Sequence, residues 1–264
     1  MLGLAVSSLT FEGFKESECE NLFDRAPAMG YRYVEFNLWY ASSLLPEKIM
    51  RLKEKCSQSG LQPAALHVSA FGGNTSEELA WNTAHKMRAM EAAVELGCRR
   101  VVASVSDKCQ SLDSVVKQME LLEAEAEKLG ILICLENHCK NPLAVSKDYE
   151  YLFERTDTKN IGICLDGGHL EAAGGRIYDF IERWYPKIYH LHLKENMTFG
   201  KKTFCRFGLG GTDNRQMVRR MCEKGYSGYM SVELSPEIGE SGDFIPFSDE
   251  DRKKPIEMFK DLER

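Results

Sequence analysis

Four side chains that can bind a metal ion each end an apolar, strand-like stretch in the second half of the sequence. They are Glu136, Asp166, His192 and Glu233. Burying a carboxylate or an imidazole is costly unless the group is paired, hydrogen-bonded or bound to metal. Three carboxylates and one imidazole form a ligand set that suits Mn²⁺, with Mg²⁺, Co²⁺ or Zn²⁺ as alternative occupants. The residues therefore predict one site for one divalent metal ion.

The alternative to a metal site is a network of carboxylates paired with cationic side chains, for which Lys194 and Arg206 are available. The metal site is favoured because His192 joins the carboxylates and because no arginine follows each of them. A divalent cation would also remove the strong repulsion among three anionic groups in a water-poor site.

Five residues are candidates for contacts with a substrate: His169, His67, Glu35, Lys194 and Arg206. His169 lies three residues after Asp166, across two glycines, so it can turn back toward the site and donate a hydrogen bond. His67 and Glu35 end the third and second strand-like stretches and could line the mouth of the site. His138 is equally consistent with a substrate contact and with a residue that orients its loop.

The elements that must position these residues alternate along the chain. Strand-like stretches begin near residues 2, 31, 61, 99, 131, 161, 188 and 229. Helical periodicity is clearest over residues 18–29, 47–58, 77–96, 112–129 and 147–155, and three further helices are predicted near 175–184, 214–224 and 249–262. Eight strand–helix units in 264 residues predict an α/β protein with a (β/α)8 TIM barrel, forming a single domain over residues 1–264.

An open, doubly wound sheet is the alternative architecture, but no glycine-rich dinucleotide turn follows the first strand. In a TIM barrel, active sites lie at the C-terminal ends of the strands. All four candidate ligands fall there, and the alternation of side chains places them on the inward face. The barrel prediction and the metal prediction therefore support each other.

Composition limits the classes of function. The net charge is −6, which disfavours a protein that binds nucleic-acid phosphates. No secretory signal and no apolar run of about 18 residues is evident, so we expect a cytoplasmic protein that does not enter membranes. The nine cysteines show no CxxC spacing and are expected to be reduced thiols. The outer helical surface could support a homo-oligomer.

The chain resembles the sugar phosphate isomerase/epimerase family of the xylose isomerase-like TIM barrel superfamily. Four motifs carry the resemblance: Cys134-Leu-Glu-Asn-His138, Cys164-Leu-Asp-Gly-Gly-His169, His190-Leu-His-Leu-Lys-Glu195 and Ser231-Val-Glu233. A glycine-rich stretch, Gly208-Leu-Gly-Gly-Thr-Asp213, is also similar to one that precedes the family's penultimate helix.

The resemblance implies that Glu136 and Glu233 are the catalytic acid/base pair as well as metal ligands. It also implies that Asp166 and His192 are metal ligands only and that His169 contacts the sugar. The expected reaction is isomerisation or epimerisation of a small sugar or polyol ketone. In this reaction a proton beside the carbonyl is removed through a cis-enediolate, whose charge the metal stabilises.

Two departures from the ketose epimerase pattern widen the choice of reaction. Pro142 stands where the pattern often has a further glutamate, and Met197-Thr-Phe stands where it often has an arginine. Related barrels dehydrate keto-inositols or dehydroshikimate, so a metal-dependent dehydratase is the main alternative. An apurinic endonuclease, for which His67 matches one ligand but two others are missing, and a non-catalytic sugar-binding barrel are less favoured.

Overall fold

Eight parallel strands close into a barrel in the computed structural model, which describes residues 2–235, 237–238, 243–244 and 247–262. The remaining residues of the predicted domain lie outside this description. The strands are β1 (Gly3–Ser7), β2 (Tyr33–Leu38), β3 (Gln62–Phe71), β4 (Arg100–Val105), β5 (Leu132–Glu136), β6 (Ile161–Asp166), β7 (Ile188–Leu193) and β8 (Tyr229–Val232). β8 pairs with β1 in parallel and closes the barrel. The predicted TIM barrel is thereby confirmed.

Helices cover the outside of the barrel, and all eight predicted helices are present. The helices are α1 (Leu9–Glu12), α2 (Glu20–Met29), α3 (Pro46–Ser59), α4 (Ser76–Leu96), α5 (Leu112–Leu129), α6 (Ser146–Phe153), α7 (Gly167–Ala172), α8 (Ile177–Trp184), α9 (Asn214–Glu223) and α10 (Asp249–Phe259). The sequence did not predict the short helices α1 and α7, which lack a full amphipathic period. A 3-10 helix (Ala41–Leu44) and two-residue strand pairs, Glu195–Asn196 with Phe204–Cys205 and Glu237–Ile238 with Asp243–Phe244, complete the described elements.

Local sequence signals fix the ends of several helices. The side chain of Thr75 accepts a hydrogen bond from the backbone of Glu78 at the start of α4, and Ser111 does the same for Asp113 at the start of α5. Gly97 and Gly130 end these helices in the left-handed conformation that glycine adopts without strain. These caps fix where each chain segment turns back toward the barrel.

Two parts of the core, of different size, lie on the two sides of the barrel wall. The large part fills the space between the outer faces of the strands and the helices. The small part lies inside the barrel and contains Ala65, Val102, Cys134 and Cys164, all with small or medium side chains. Above this layer, toward the C-terminal ends of the strands, larger polar side chains such as Glu35 and His190 are fully buried. The barrel interior is therefore apolar at the centre and polar toward the mouth.

Two further expectations concern the chain as a whole. All nine cysteines are unpaired, as expected for reduced thiols. Among the residues that the structure describes, no helix is both long enough and apolar enough to cross a membrane.

Candidate active site

The four predicted metal ligands converge at the C-terminal end of the barrel. Glu136 and Asp166 are the last residues of β5 and β6, His192 lies near the end of β7, and Glu233 directly follows β8. Each offers one ligand atom, and these atoms all lie within 4.8 Å of one another. All four residues are buried. Parallel neighbouring strands bring together side chains that are 26 to 97 residues apart in the chain.

His192 is the central residue of this group. Its Nδ1 atom lies 2.7 Å from Glu136 Oε1 and 3.1 Å from Glu233 Oε2. Lys194 Nζ lies 3.3 Å from the other oxygen of Glu233. Asp166 accepts a hydrogen bond from the backbone of His169 through Oδ1 at 2.7 Å, whereas its buried Oδ2 has no hydrogen-bond partner among the described residues. The group therefore has an acceptor atom that the described protein does not use.

The charges of the group are poorly balanced. Burial raises the pKa of Asp166 to about 7, and the carboxylates of Glu136 and Glu233 act in the same direction. Burial also acts to raise the pKa of Glu233, but Lys194 and His192 outweigh it and hold that pKa far below its ordinary value. Three ionised carboxylates at this spacing need more positive charge than Lys194 and His192 supply. Four residues with oxygen and nitrogen donors, of which Asp166 Oδ2 and Glu233 Oε2 accept no hydrogen bond from a described residue, fit a divalent cation.

A second layer of polar side chains supports His192 from below. Glu35 is fully buried, and its carboxylate accepts hydrogen bonds from His190 Nε2 at 2.8 Å, from His192 Nε2 at 3.1 Å and from the Ser231 hydroxyl at 2.9 Å. A metal-binding histidine commonly donates its second ring nitrogen to a carboxylate, which fixes the orientation of the ring. This arrangement favours a supporting role for Glu35. The predicted contact between Glu35 and a substrate stays a prediction.

His67 lies between the two layers at the edge of the site. Its ring nitrogens are 3.7 Å from Glu35 Oε1 and 3.6 Å from Glu136 Oε2. The ring of Trp39 packs edge-on against it, with the ring centroids 6.0 Å apart. Glu35, His67 and His192 form a second group of possible ligands within 4.8 Å. The first group is the better candidate for a metal ion because it brings three carboxylates together with one imidazole. The second group has a single carboxylate, Glu35, whose Oε2 already accepts three hydrogen bonds while its Oε1 accepts none from a described residue.

His138 and His169 form another wall of the site. Their ring centroids lie 3.8 Å apart with the ring planes tilted by 34°, and the ring of Phe204 packs edge-on against His169. The backbone of Cys139 contacts both histidines, donating to His169 Nδ1 at 3.2 Å and accepting from His138 Nδ1 at 3.0 Å. Burial lowers the pKa of both imidazoles, so both are neutral at pH 7.

The two predicted cationic contacts have different environments. Lys194 is buried beside Glu233, and its ammonium group lies 5.0 Å from the centre of the Phe204 ring. Burial opposes the charge of Lys194, but Glu233 and Asp166 raise its pKa. Arg206 instead pairs with Asp251 on α10 at 3.1 Å, and that pairing occupies its guanidinium group. The structure therefore brings Lys194 to the metal ligands, while Arg206 connects a loop to the last helix.

Sequence reasoning assigned no role to three residues that help to build the site: Asn37, Cys139 and Ser231, the last of which was noted only as the start of a family motif. Asn37 Nδ2 lies 3.4 Å from His67 Nδ1, Ser231 donates to Glu35, and Cys139 contacts two histidines through its backbone. Only their positions in the sequence could have indicated Asn37 and Ser231. Asn37 lies two residues after Glu35 and Ser231 lies two residues before Glu233, and side chains two residues apart along a strand point to the same face. Backbone contacts such as those of Cys139 leave no mark in the residue type.

Two curated relatives are enzymes that act on inososes, according to their names. Inosose isomerase of Halalkalibacterium halodurans is 28% identical over 224 residues, which cover 78% of each chain. An inosose dehydratase of Bacillus thuringiensis is 21% identical over 214 residues, covering 74% of this chain and 70% of the relative.

Solved structures share the fold over nearly the whole chain. D-allulose 3-epimerase from Methylomonas sp., solved in complex with D-allulose, has a TM-score of 0.80 at 18% identity and covers 99% of this chain and 97% of its own. The IolI protein, solved with a bound zinc atom, has a TM-score of 0.75 at 20% identity and covers 98% and 97%. A sequence profile described as "Xylose isomerase-like TIM barrel" matches residues 23–261, and the chain belongs to this family.

Proposed function

We propose that the protein is a divalent-metal-dependent isomerase or epimerase of a small sugar or polyol ketone. The observation that carries the proposal is the convergence of Glu136, Asp166, His192 and Glu233 within 4.8 Å at the mouth of the barrel. Two of these four residues are glutamates, which can also transfer protons. The names of the inosose and allulose enzymes among its relatives support the same substrate class.

The metal would be held by Glu136, Asp166, His192 and Glu233, with Mn²⁺ favoured by the oxygen-rich donor set. When bound, such an ion supplies Lewis acidity that lowers the cost of negative charge on a substrate carbonyl oxygen. The buried, unpartnered Asp166 Oδ2 and the surplus of carboxylates support this assignment. The zinc atom of the IolI protein shows that a protein of this fold can bind such an ion.

We assign the proton transfer to the two glutamates. His192 lies beside both carboxylates, and together with Lys194 it lowers the pKa of Glu233, so that this carboxylate is ionised at pH 7 and can accept a proton. The pKa of Glu136 is also lowered, since His192 and His67 outweigh the effect of its burial. One glutamate, as a carboxylate, would remove the proton beside the carbonyl. The other, after taking up a proton from solvent, would return it to the enediolate, and exchange with solvent then restores both groups.

The proposed substrate is small and uncharged. Two ring clusters belong to the site, one built from Trp39 and His67 and the other from His138, His169 and Phe204. Aromatic faces bind the C–H surface of a sugar ring, and imidazole nitrogens bind its hydroxyl groups. The net charge of −6 gives no support for a nucleic-acid substrate. We propose that the enzyme works in the cytoplasm.

A dehydratase is the second candidate, and Lys194 is the observation that favours it. Loss of water after proton removal requires an acid that protonates the departing hydroxyl group. The Lys194 ammonium lies 3.3 Å from Glu233, so an acid and a base stand side by side at the site. Relatives named inosose dehydratase share the fold family.

Reaction in D₂O with Mn²⁺-loaded protein separates these candidates. Ketohexoses and inososes are incubated with the enzyme, and the products are analysed by NMR and mass spectrometry. Deuterium incorporation beside the carbonyl with no loss of water is the result expected for an isomerase or epimerase. Net loss of water identifies the dehydratase. No exchange and no turnover on any of these ketones would contradict both candidates.

A further inference from the structure

His138 and His169 form hydrogen bonds that a general role as sugar contacts does not require. His138 lies two residues after Glu136, and His169 is the third residue of helix α7, which begins directly after Asp166. Cys139 lies beside the two rings and uses both of its backbone polar groups on them. One backbone unit therefore determines the hydrogen-bonding state of both imidazoles.

The direction of each hydrogen bond fixes the tautomers. A backbone carbonyl can only accept, so the 3.0 Å contact between His138 Nδ1 and Cys139 O places a proton on Nδ1 of His138. A backbone N–H can only donate, so the 3.2 Å contact from Cys139 N leaves Nδ1 of His169 without a proton. Cys139 Sγ, which lies 3.1 Å from the same nitrogen, then acts as a thiol donor to it. With one proton on each ring, the two imidazoles present opposite groups at Nε2, an acceptor on His138 and an N–H donor on His169.

The surrounding contacts hold the two rings in this order. The backbone N–H of His138 donates to Leu143 O at 3.0 Å, and Asn141 Nδ2 donates to Val105 O at 2.6 Å, which joins the loop to strand β4. On the other side, the Phe204 ring packs against His169 with centroids 4.6 Å apart. Neither Nε2 atom forms a hydrogen bond with a described residue. Neither is among the polar atoms that are fully buried without a partner. The two Nε2 atoms therefore remain available to a ligand.

We propose that His138 and His169 form a donor–acceptor pair that binds one hydroxyl group of the substrate and makes that hydroxyl a requirement for turnover. The Nε2–H of His169 donates to the hydroxyl oxygen, and the hydroxyl hydrogen is donated to Nε2 of His138. A hydroxyl group is both a donor and an acceptor, so it satisfies both rings at once, whereas a hydrogen or a carbonyl oxygen does not. This inference rests on the proposed function and names the residue pair that selects the substrate.

The tautomers are tested first, independently of any activity. Long-range ¹H–¹⁵N NMR spectra of ¹⁵N-labelled full-length protein, loaded with diamagnetic Mg²⁺, report which nitrogen of each ring carries the proton. The expected result is a proton on Nδ1 of His138 and on Nε2 of His169 at pH 7. The same tautomer on both rings would overturn the proposal. This readout stands even if no sugar or polyol ketone is turned over, a result that would contradict only the proposed function.

Substrate selection is tested with monodeoxy analogues of the ketone that the enzyme turns over best. The kcat/KM of the wild-type enzyme should be about 10- to 100-fold lower for one of these analogues than for the parent ketone. The missing hydroxyl would leave two ring nitrogens unpaired beneath the bound analogue. His138→Phe keeps a stacked ring but loses the acceptor, so it should lower kcat/KM for the parent ketone by a similar factor and leave that analogue unaffected. His85→Phe makes the same substitution at another buried histidine, on α4 beside an outer groove, and should preserve the discrimination.

A second variant guards against loss of folding in His138→Phe. His138→Gln offers an amide oxygen near the position of Nε2 and should retain part of the preference for the parent ketone over the analogue. An equal loss for parent and analogue in both His138 variants would overturn the proposal, because a residue that only supports the loop would affect both substrates alike.

Discussion

The two halves of the barrel mouth differ in how well the hydrogen bonds and charges of their buried polar groups are satisfied. At the ends of β1 and β2, the side-chain oxygen of Asn37 accepts three hydrogen bonds: from the Ser7 hydroxyl at 2.6 Å, from the Ser8 hydroxyl at 3.0 Å and from the Leu9 backbone at 2.9 Å. At the ends of β5 to β8, three carboxylates crowd around His192, and Asp166 Oδ2 has no hydrogen-bond partner among the described residues. The Asn37 network is neutral and its acceptor oxygen is satisfied, whereas the carboxylate half is charged and incomplete.

This difference separates a structural polar network from a functional one. Buried polar groups in native proteins are nearly always hydrogen-bonded, so a group without a partner requires a specific explanation. The Asn37 network needs nothing beyond the protein chain. The carboxylate half becomes balanced only when a cation is added. Substitutions in the two halves should therefore have different consequences for stability and activity.

The largest effect is expected from Glu233→Gln. The amide keeps an oxygen for the metal but cannot accept the substrate proton, so kcat should fall by about 10²- to 10⁴-fold while metal binding is largely retained. Steady-state kinetics and metal titration of the same protein measure both quantities. Glu182→Gln, at a surface carboxylate paired with Arg220 and Lys224, is the matched control and should leave kcat unchanged. Wild-type kcat in Glu233→Gln would refute the assigned role.

Asp166→Asn should weaken metal binding and stabilise the metal-free protein. Asparagine can still accept the His169 backbone hydrogen bond but carries no charge. The pKa of Asp166 is raised from 3.8 to about 7, so the folded protein binds the extra proton between these values. Wild type therefore loses stability as pH rises from about 4 to 7, and Asp166→Asn does not.

Calorimetry in the presence of a chelator measures this prediction. The Tm advantage of Asp166→Asn should grow between pH 4 and 7 and stay constant above that, with about 2–4 °C for each kcal/mol in a chain of this size. With Mn²⁺ present the order should reverse, because wild type binds the ion more tightly. A Tm advantage that does not depend on pH would show that the charge of Asp166 does not destabilise the metal-free protein.

Glu35→Gln tests the supporting layer. Loss of the carboxylate that orients His192 should weaken metal affinity by about 10- to 100-fold, the usual effect of removing such an outer partner. kcat at saturating metal should change less than in Glu233→Gln, because Glu35 is placed beneath the ring of His192. Titration calorimetry with Mn²⁺ gives the affinity. Unchanged affinity together with a raised KM would favour the original expectation of a substrate contact.

The smallest effect on catalysis is expected from Asn37→Ala in the satisfied half. The substitution leaves the Ser7, Ser8 and Leu9 donors without their acceptor, which should cost about 1–3 kcal/mol of unfolding free energy. Metal affinity and kcat should change less than tenfold, since the ligand group does not include Asn37. Chemical denaturation and kinetics measure the two effects. A loss of metal affinity as large as that of Glu35→Gln would abolish the distinction between the halves.

The sequence predicted those parts of the molecule that depend on local pattern. The eight strands, the eight longer helices and the convergence of Glu136, Asp166, His192 and Glu233 all follow from periodicity and from the common direction of parallel strands. The roles of Glu35 and Arg206 depend on which side chains lie opposite them. Glu35 meets His190 and His192 from distant strands.

Contacts of that kind arise only from tertiary packing, and residue spacing does not encode them. Arg206 pairs with Asp251 because α10 packs near the loop that follows β7. The sequence also did not predict the short helix α7, although the structure shows why a glycine is needed near its start. A side chain at Gly168 would lie 2.7 Å from the backbone oxygen of Lys194, so only glycine fits where α7 approaches β7.

Anomalous X-ray diffraction from a crystal grown with Mn²⁺ tests the central claim most directly. Data collected near the manganese absorption edge locate the ion without reference to activity or substrate. We predict one strong peak in contact with Glu136, Asp166, His192 and Glu233. A crystal that contains Mn²⁺ but shows no peak there, or shows a peak only between Glu35 and His67, would contradict the account.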